Sequence, residues 1–269
     1  MVYFVATPIG NLKDISLRAI ETLKSADIIF CEDTRHSLKL LNALEIKKPL
    51  KSCHKFNERE AAESIIAAAR EGKEIAIISD AGMPVISDPG NVVCSALKEA
   101  GIEYTVVPGA NAFLSALILS AFPSDRFAFL GFLPNKASEC KAVLERYKNL
   151  DMTLCFHCAP QDIDRTISLA HSVLGERNAC LVREITKIHE EAISFKLSEG
   201  YAGEKRGEFV LLIEGSKECE NPLNSLSEKE HILHYIRSGL DKKEAIKQVA
   251  KDRGISKSEI YKYSIDIGE

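Results

Sequence analysis

The feature that most restricts this chain is a rhythm in its first half. Short apolar, β-branched runs, Val2 to Ala6, Asp27 to Cys31, Leu50 to Cys53, Glu74 to Ser79 and Tyr104 to Val107, alternate with segments of helical period. Parallel neighbours need long crossovers, so the alternation predicts βαβ units and a five-stranded, mostly parallel sheet. Helix ends punctuate it: Asn57 reads as an N-cap with Glu60 three residues on, and Gly72 follows the last apolar turn. Beyond the Phe122-Pro123-Ser124 turn the rhythm changes. Strands are expected at Phe127 to Leu133, Met152 to Cys158, Asn178 to Ile185, Ala192 to Leu197 and Glu208 to Ile213, the last two antiparallel, with two helices between. The expected fold class is therefore α/β: residues 1–122 and 123–215 as two α/β domains, the second with a mixed sheet, then a linker at 216–227 and a helical module at 228–269.

The tail carries two capping-box patterns, Asp241-Lys-Lys-Glu244 and Ser256-Lys-Ser-Glu259, separated by a helix and the turn Arg253-Gly-Ile255; helix, glycine turn, helix is a helix-turn-helix outline. The most apolar stretch, Ala112 to Phe122, is about half the roughly 20 residues a bilayer crossing needs, and reads as a buried helix. Val2 to Ala6 follow the initiator directly, without a charged leader, so a cytoplasmic protein is expected. Eight cysteines scattered over 269 residues suggest no disulfide framework. With a net charge of −4, any nucleic-acid partner must be held by a local basic surface.

Loops after the parallel strands are where an α/β sheet binds ligands. Thr7-Pro-Ile-Gly-Asn11 is such a loop, and is either a contact or a plain tight turn; neither a dinucleotide fingerprint nor a P-loop occurs in the chain. Cys31-Glu-Asp-Thr-Arg35-His36 follows the second strand. Its carboxylates can accept a proton and Arg35 can clamp a phosphate, or Asp33 and Thr34 can cap a helix. Ser79 to Gly90 is a long small-residue loop that brings bare backbone to the same edge, and Pro108-Gly-Ala-Asn-Ala112 is a fourth. In the second half, Arg183, Ile185 and Lys187 fall on one face of an extended segment and Glu184, Thr186 and Ile188 on the other, as a substrate clamp or a solvated strand end. Cys155-Phe-His-Cys158 has no partner pair, so no metal site is expected. Lys47 to Arg59 holds five basic residues and one acid, with His54 and Phe56 interleaved; Arg237 to Tyr263 holds eight basic and four acidic residues.

Ala6-Thr-Pro-Ile-Gly-Asn-Leu12, Glu32-Asp-Thr-Arg35, Asn57-Glu58, Ser79-Asp-Ala-Gly82, Ser87-Asp-Pro-Gly90, Pro108-Gly109, Gly131-Phe-Leu-Pro134, Arg183-Glu-Ile-Thr-Lys187 and Gly207-Glu-Phe-Val210, in that order, resemble the ribosomal RNA small subunit methyltransferase I family of the tetrapyrrole-methylase superfamily. The likeness spans about residues 1 to 215. It implies S-adenosylmethionine between two α/β domains, a homodimer, and methylation of a cytidine ribose 2′-hydroxyl in the decoding region of 16S rRNA. Superfamily relatives that methylate corrin precursors, or an RNA-binding assembly factor without catalysis, are the alternatives. By the resemblance Pro8, Ile9, Gly10, Asp80, Gly82, Met83, Pro84, Val85, Ile86, Asn111, Ala112, Phe156 and Phe209 hold the cofactor. Glu32, Asp33, Arg35, Glu184 and Lys187 are the candidates for base, phosphate clamp and alkoxide-stabilising cation. The chain departs from the family pattern at Met83, usually threonine, and at His157-Cys158 and Gln161-Asp162, where the family has Tyr-Glu and His-Arg.

Overall fold

The computed structural model describes residues 1–216, 222–265 and 267. Its first sheet contains β1 (Val2–Val5), β2 (Ile28–Cys31), β3 (Leu50–Ser52), β4 (Ile75–Ile78) and β5 (Tyr104–Val107) in the order β3-β2-β4-β1-β5, every pair parallel. Side chains alternate across a strand, so each central strand feeds two cores. Val2, Phe4, Phe30, Ile75 and Ile77 pack under α3 (Glu58–Arg70) and α4 (Asn91–Glu99). Val5, Ile29, Cys31, Ala76 and Ile78 pack under α1 (Leu17–Ser25) and α2 (Thr34–Ala43). Burial on both faces explains why these strands are unbroken apolar runs.

The second sheet is mixed. It comprises β6 (Phe127–Phe132), β7 (Thr153–Cys158), β8 (Asn178–Arg183), β9 (Glu191–Lys196) and β10 (Phe209–Ile213), ordered β6-β7-β10-β8-β9. β6 and β7 are parallel; β9 and β10 each run antiparallel to their neighbours, though they are not paired with each other. One face lies under α6 (Ala137–Tyr147) and α7 (Ile163–Leu174). The other is covered by α5 (Ala112–Ser120), with Ile9 from the first loop in the same cluster. The helix that leaves the first sheet thus roofs the second, and the carboxyl edge of β1 to β5 faces the second sheet.

Three expectations need correction. α5 is only half buried: Ala116 and Leu117 face the second sheet, while Ile118 is 79% exposed and Leu114 and Leu119 are also open, because no other described element covers that side. Asn57 sits at the start of α3 but makes no side-chain cap, and Glu60 does not return a bond; the amide is spent on the preceding turn. Arg183 ends β8, two residues earlier than expected, because Glu184 and Thr186 take positive φ (49° and 68°) and fold the chain into a turn.

α8 (Glu228–Arg237), α9 (Lys242–Arg253) and α10 (Lys257–Tyr261) enclose a small core of Ile232, Ala245, Ile246, Val249, Ala250, Ile260 and Ile267. Ser256–Glu259 is a complete capping box, and so is Ser227–Glu230; Asp241 accepts from the Glu244 amide without the reciprocal bond. The second helix of the helix-turn-helix outline is only five residues long. Of the segment read as a linker, residues 217–221 lie outside the described residues, as does Cys219, while Pro222–Ser225 forms a short 3-10 turn and Asn224 donates to the Asp252 carbonyl. No helix among the described residues is long and apolar enough to cross a membrane.

Candidate active site

The carboxyl edge of the first sheet is stitched together by its loops. Thr7 and Gly82 exchange both backbone bonds (2.9 and 3.1 Å), and the Thr7 hydroxyl reaches the Ser79 carbonyl at 3.3 Å. At Gly82, φ is +80° and an added Cβ would lie 3.1 Å from the Ile9 side chain, so a glycine is what lets these two loops close on each other. Between this edge and the second sheet lies a cavity of ≈ 350 Å³, of the size that binds small ligands. Ile9, Met83, Ile86, Phe113, Phe209 and Val210 give it apolar walls, and Asp88 and Glu208 are the carboxylates on its surface.

The loop carrying Asp88 is held under strain. Val85 and Ser87 both have positive φ (75° and 67°), a conformation that costs on the order of 1–3 kcal/mol for such residues. Gly90 permits it, since a Cβ there would meet Val85 Cγ2 at 2.6 Å. Glu58 locks the far end: one carboxylate oxygen accepts from the Gly90 and Val92 amides at 2.7 and 2.8 Å, capping α4 from a neighbouring helix. The result points Ile86, Ser87 and Asp88 into the cavity. Burial first, then the charges of Glu32 and Asp80, push the Asp88 carboxyl up to about 6. Glu32 is also raised, by burial and by Asp80 and Asp33, with His54 opposing.

The remaining candidates separate by what holds them. Asp33 caps α2, accepting from the Arg35 amide (2.8 Å) and pairing with its guanidinium (3.1 Å); the Arg35 bond holds its carboxyl below the usual range. The capping alternative is what the structure contains, and Arg35, its side chain 89% exposed, is directed to solvent. Asp80 accepts from the Asp33 amide at 3.2 Å, tying the β2 and β4 loops together outside the cavity lining. Glu184 and Lys187, expected on opposite faces, are bonded at 2.9 Å because of the turn at 184–187, and Lys187 also reaches Glu208 at 3.2 Å. Burial opposes both charges; the hydrogen bonds win, lowering Glu184 and raising Lys187. Gly10 rests against Lys187 and Thr186, where a Cβ would lie 2.5 Å from Lys187 Cγ.

Of the expected cofactor residues, Ile9, Gly82, Met83, Ile86, Asn111, Ala112 and Phe209 line the cavity. Pro8, Gly10, Pro84 and Val85 shape the loops behind it. Phe156 is a correction: it is fully buried in the core under α6 and α7, because neighbours on a strand point to opposite faces, and His157 lines the cavity in its place. Asp88, Phe132, His157 and Glu208 carry no site assignment from sequence, although Asp88, Phe132 and Glu208 fall within the motifs that carry the resemblance. His157 sits between Phe129 and Phe132 (centroids 5.1 and 5.3 Å), and burial lowers its imidazole. Cys155 and Cys158 lie on opposite faces of β7, and burial pushes their thiols up to about 12 and about 11.

The family model for Tetrapyrrole (Corrin/Porphyrin) Methylases matches residues 1–200. A protein of Halalkalibacterium halodurans named ribosomal RNA small subunit methyltransferase I is 45% identical over 97% of this chain and 93% of its own length. The protein of the same name from Bacillus subtilis is 44% identical over 97% and 92%. Among solved structures, uroporphyrin-III C-methyl transferase from Thermus thermophilus, complexed with S-adenyl homocysteine, superposes with a TM-score of 0.57 at 19% identity, covering 79% of this chain and 96% of that one.

Proposed function

This chain belongs to the tetrapyrrole methylase family, in the branch whose relatives are named ribosomal RNA small subunit methyltransferase I, and from that premise we propose that it methylates the ribose 2′-hydroxyl of a cytidine in the decoding region of 16S rRNA. The observation that carries the site assignment is the cavity at the carboxyl edge of the first sheet, closed by the second and holding an elevated carboxylate. Its fit to S-adenosylmethionine rests on its donor set: apolar walls suit the faces of a nucleoside, and Ser87, Asn111 and His157 in the lining bring polar groups to its edges. Ile9, Gly82, Met83, Ile86, Asn111, Ala112 and Phe209 would hold it. When bound, that cofactor supplies a methyl group already activated by a sulfonium.

What the protein adds is orientation, exclusion of water and proton handling. A ribose hydroxyl is a poor nucleophile. In this reading an oxygen of Asp88, on the cavity surface, takes the 2′-hydroxyl proton, and the Lys187 ammonium, which lies behind the lining and is held by Glu184 and by Glu208 of the cavity wall, stabilises the oxygen as its charge develops. Residues 1–122 carry the donor loops, 123–215 close the cavity, and 228–269, beyond the linker, add a helical module whose 237–263 stretch is basic and would meet RNA. We place the enzyme in the cytoplasm with its ribosomal substrate.

Small subunits lacking the modification, incubated with the protein and methyl-labelled cofactor, are expected to acquire label on one cytidine ribose. Label on a corrin precursor and none on rRNA would overturn the substrate; no cofactor binding by calorimetry would favour an assembly factor.

We also propose a homodimer. Leu114, Ile118 and Leu119 of α5 and Tyr104 and Val106 of the edge strand β5 are exposed apolar side chains that a second copy would cover. Ile118→Asp is expected to shift the sedimenting species from dimer to monomer, and a wild-type protein that sediments as a monomer would remove the proposal.

A further inference from the structure

The turn after β3 presents an aromatic ring to solvent. Phe56 is 93% exposed, on a turn that is closed by hydrogen bonds of its neighbours. Asn57 accepts from the His54 amide at 2.8 Å, donates to the Ser52 carbonyl and hydroxyl at 3.1 and 3.2 Å, and bonds its own amide to the His54 carbonyl at 3.0 Å. These bonds fix a one-turn loop, which explains why this asparagine gives up the helix cap. The His54 ring stands edge-on to Phe56 at 6.2 Å, and its buried Nδ1 has no hydrogen-bond partner among the described residues. A Phe side chain left in water forgoes the gain of burial, so a bonded turn that carries one there presents the ring without sheltering it.

Cations predominate around the ring, with Glu60 the exposed acid beside Arg59. Lys55 and Arg59 flank it and are exposed. The one acid in Lys47 to Arg59, Glu58, is turned inward to the Gly90 and Val92 amides. On the adjoining loop, Arg35 extends into solvent. The position is on the reaction rim: β3 is paired with β2, the Cys53 amide donates to the Cys31 carbonyl at 2.8 Å, and the next loops inward carry Glu32, then Asp80 and Asp88. An exposed aromatic ring carried on a bonded turn among cations is the equipment by which proteins hold unstacked nucleobases while neutralising the backbone.

Resting on the RNA substrate proposed above, we propose that Phe56 is a stacking platform for an unpaired base of the RNA strand beside the nucleotide being modified, with Lys55, Arg59 and Arg35 holding its phosphates. Phe56 then sets substrate position and takes no part in cofactor binding.

The chain contains no tryptophan, so Phe56→Trp places a single indole at the site. Titrated with unmethylated small subunits, its emission should be quenched in step with binding, as expected for an indole against a base. In kinetics, Phe56→Ala should raise KM for the subunits by roughly five- to a hundred-fold, the range for loss of one stacked base. Its kcat and its affinity for S-adenosylmethionine should stay near wild type, and Phe56→Tyr should restore KM. An indole that binds subunits with unquenched or blue-shifted emission would overturn the proposal in favour of a ribosomal-protein contact, and so would an unchanged KM in Phe56→Ala. A wild-type enzyme inactive on small subunits refutes the substrate assignment instead; the fluorescence titration then still reports whether RNA meets the ring.

Discussion

Asp88→Asn is expected to lose about 10²- to 10⁴-fold in turnover, the range for a positioned general base, while binding S-adenosylmethionine almost as wild type. Asparagine preserves the shape of the side chain and removes only its ability to take a proton. The wild-type rate should fall as pH drops through about 6, where the Asp88 carboxyl is half protonated, and this limb should be absent in the variant's residual rate. Stability supplies an independent check. Burial and the Glu32 and Asp80 charges raise this carboxyl above its unfolded value, so between the two values the folded state binds more protons and stability falls with rising pH. At neutral pH the ionised Asp88 therefore strains the fold, and Asp88→Asn should melt higher than wild type while being inactive. A variant that keeps its rate, or loses the rate together with its stability, would remove Asp88 from the chemistry. Asp33→Asn makes a contrast, because asparagine is as good an N-cap as aspartate and Asp33 is already engaged by Arg35; its turnover should change little.

Much of this arrangement is legible in the amino-acid sequence. The ten strands follow from apolar runs bounded by turns, and the parallel order of the first five from the helices between them, because periodicity reports burial and burial dictates layers. Four loops at one sheet edge are likewise legible. Which side chains those loops aim inward is not. Asp88 and Val85 are three residues apart in a loop of positive φ, where no period relates sequence to direction. Glu58 looks like one more acid in a helical first turn, yet its work is done across 32 residues at Gly90. Phe156 and His157 illustrate the opposite case: the strand is recognisable, but the inward face expected of it is off by one, and a single-residue error on a strand exchanges core for cavity. The resemblance supplies the motifs containing Asp88 and Glu208, and only the packing of the second sheet against the first gives those acids a common cavity.

Lys187→Met should cost about 10²- to 10³-fold in kcat, comparable to removing one preorganised donor from a developing oxyanion. Methionine keeps the length and apolar stem of the side chain, which matters here because that stem packs against Gly10. What it loses is the charge. In the native protein burial pulls the ammonium toward its neutral form, but the bonds to Glu184 and Glu208 outweigh it and raise its pKa, so Lys187 remains charged well into alkaline solution. The wild-type profile should therefore show no alkaline limb from this group up to about pH 9. Glu184 also keeps the Glu208 amide at 2.9 Å, so its carboxylate is not orphaned in the variant, and the fold should survive with a modest fall in melting temperature. The ratio of kcat to KM effects separates two uses of one cation. A charge that meets the reacting oxygen changes kcat, whereas a charge that merely holds RNA phosphate changes KM and steepens with falling salt. A normal kcat with a salt-dependent rise in KM would move Lys187 from the reacting oxygen to the RNA backbone, leaving Asp88 as the group that handles the proton.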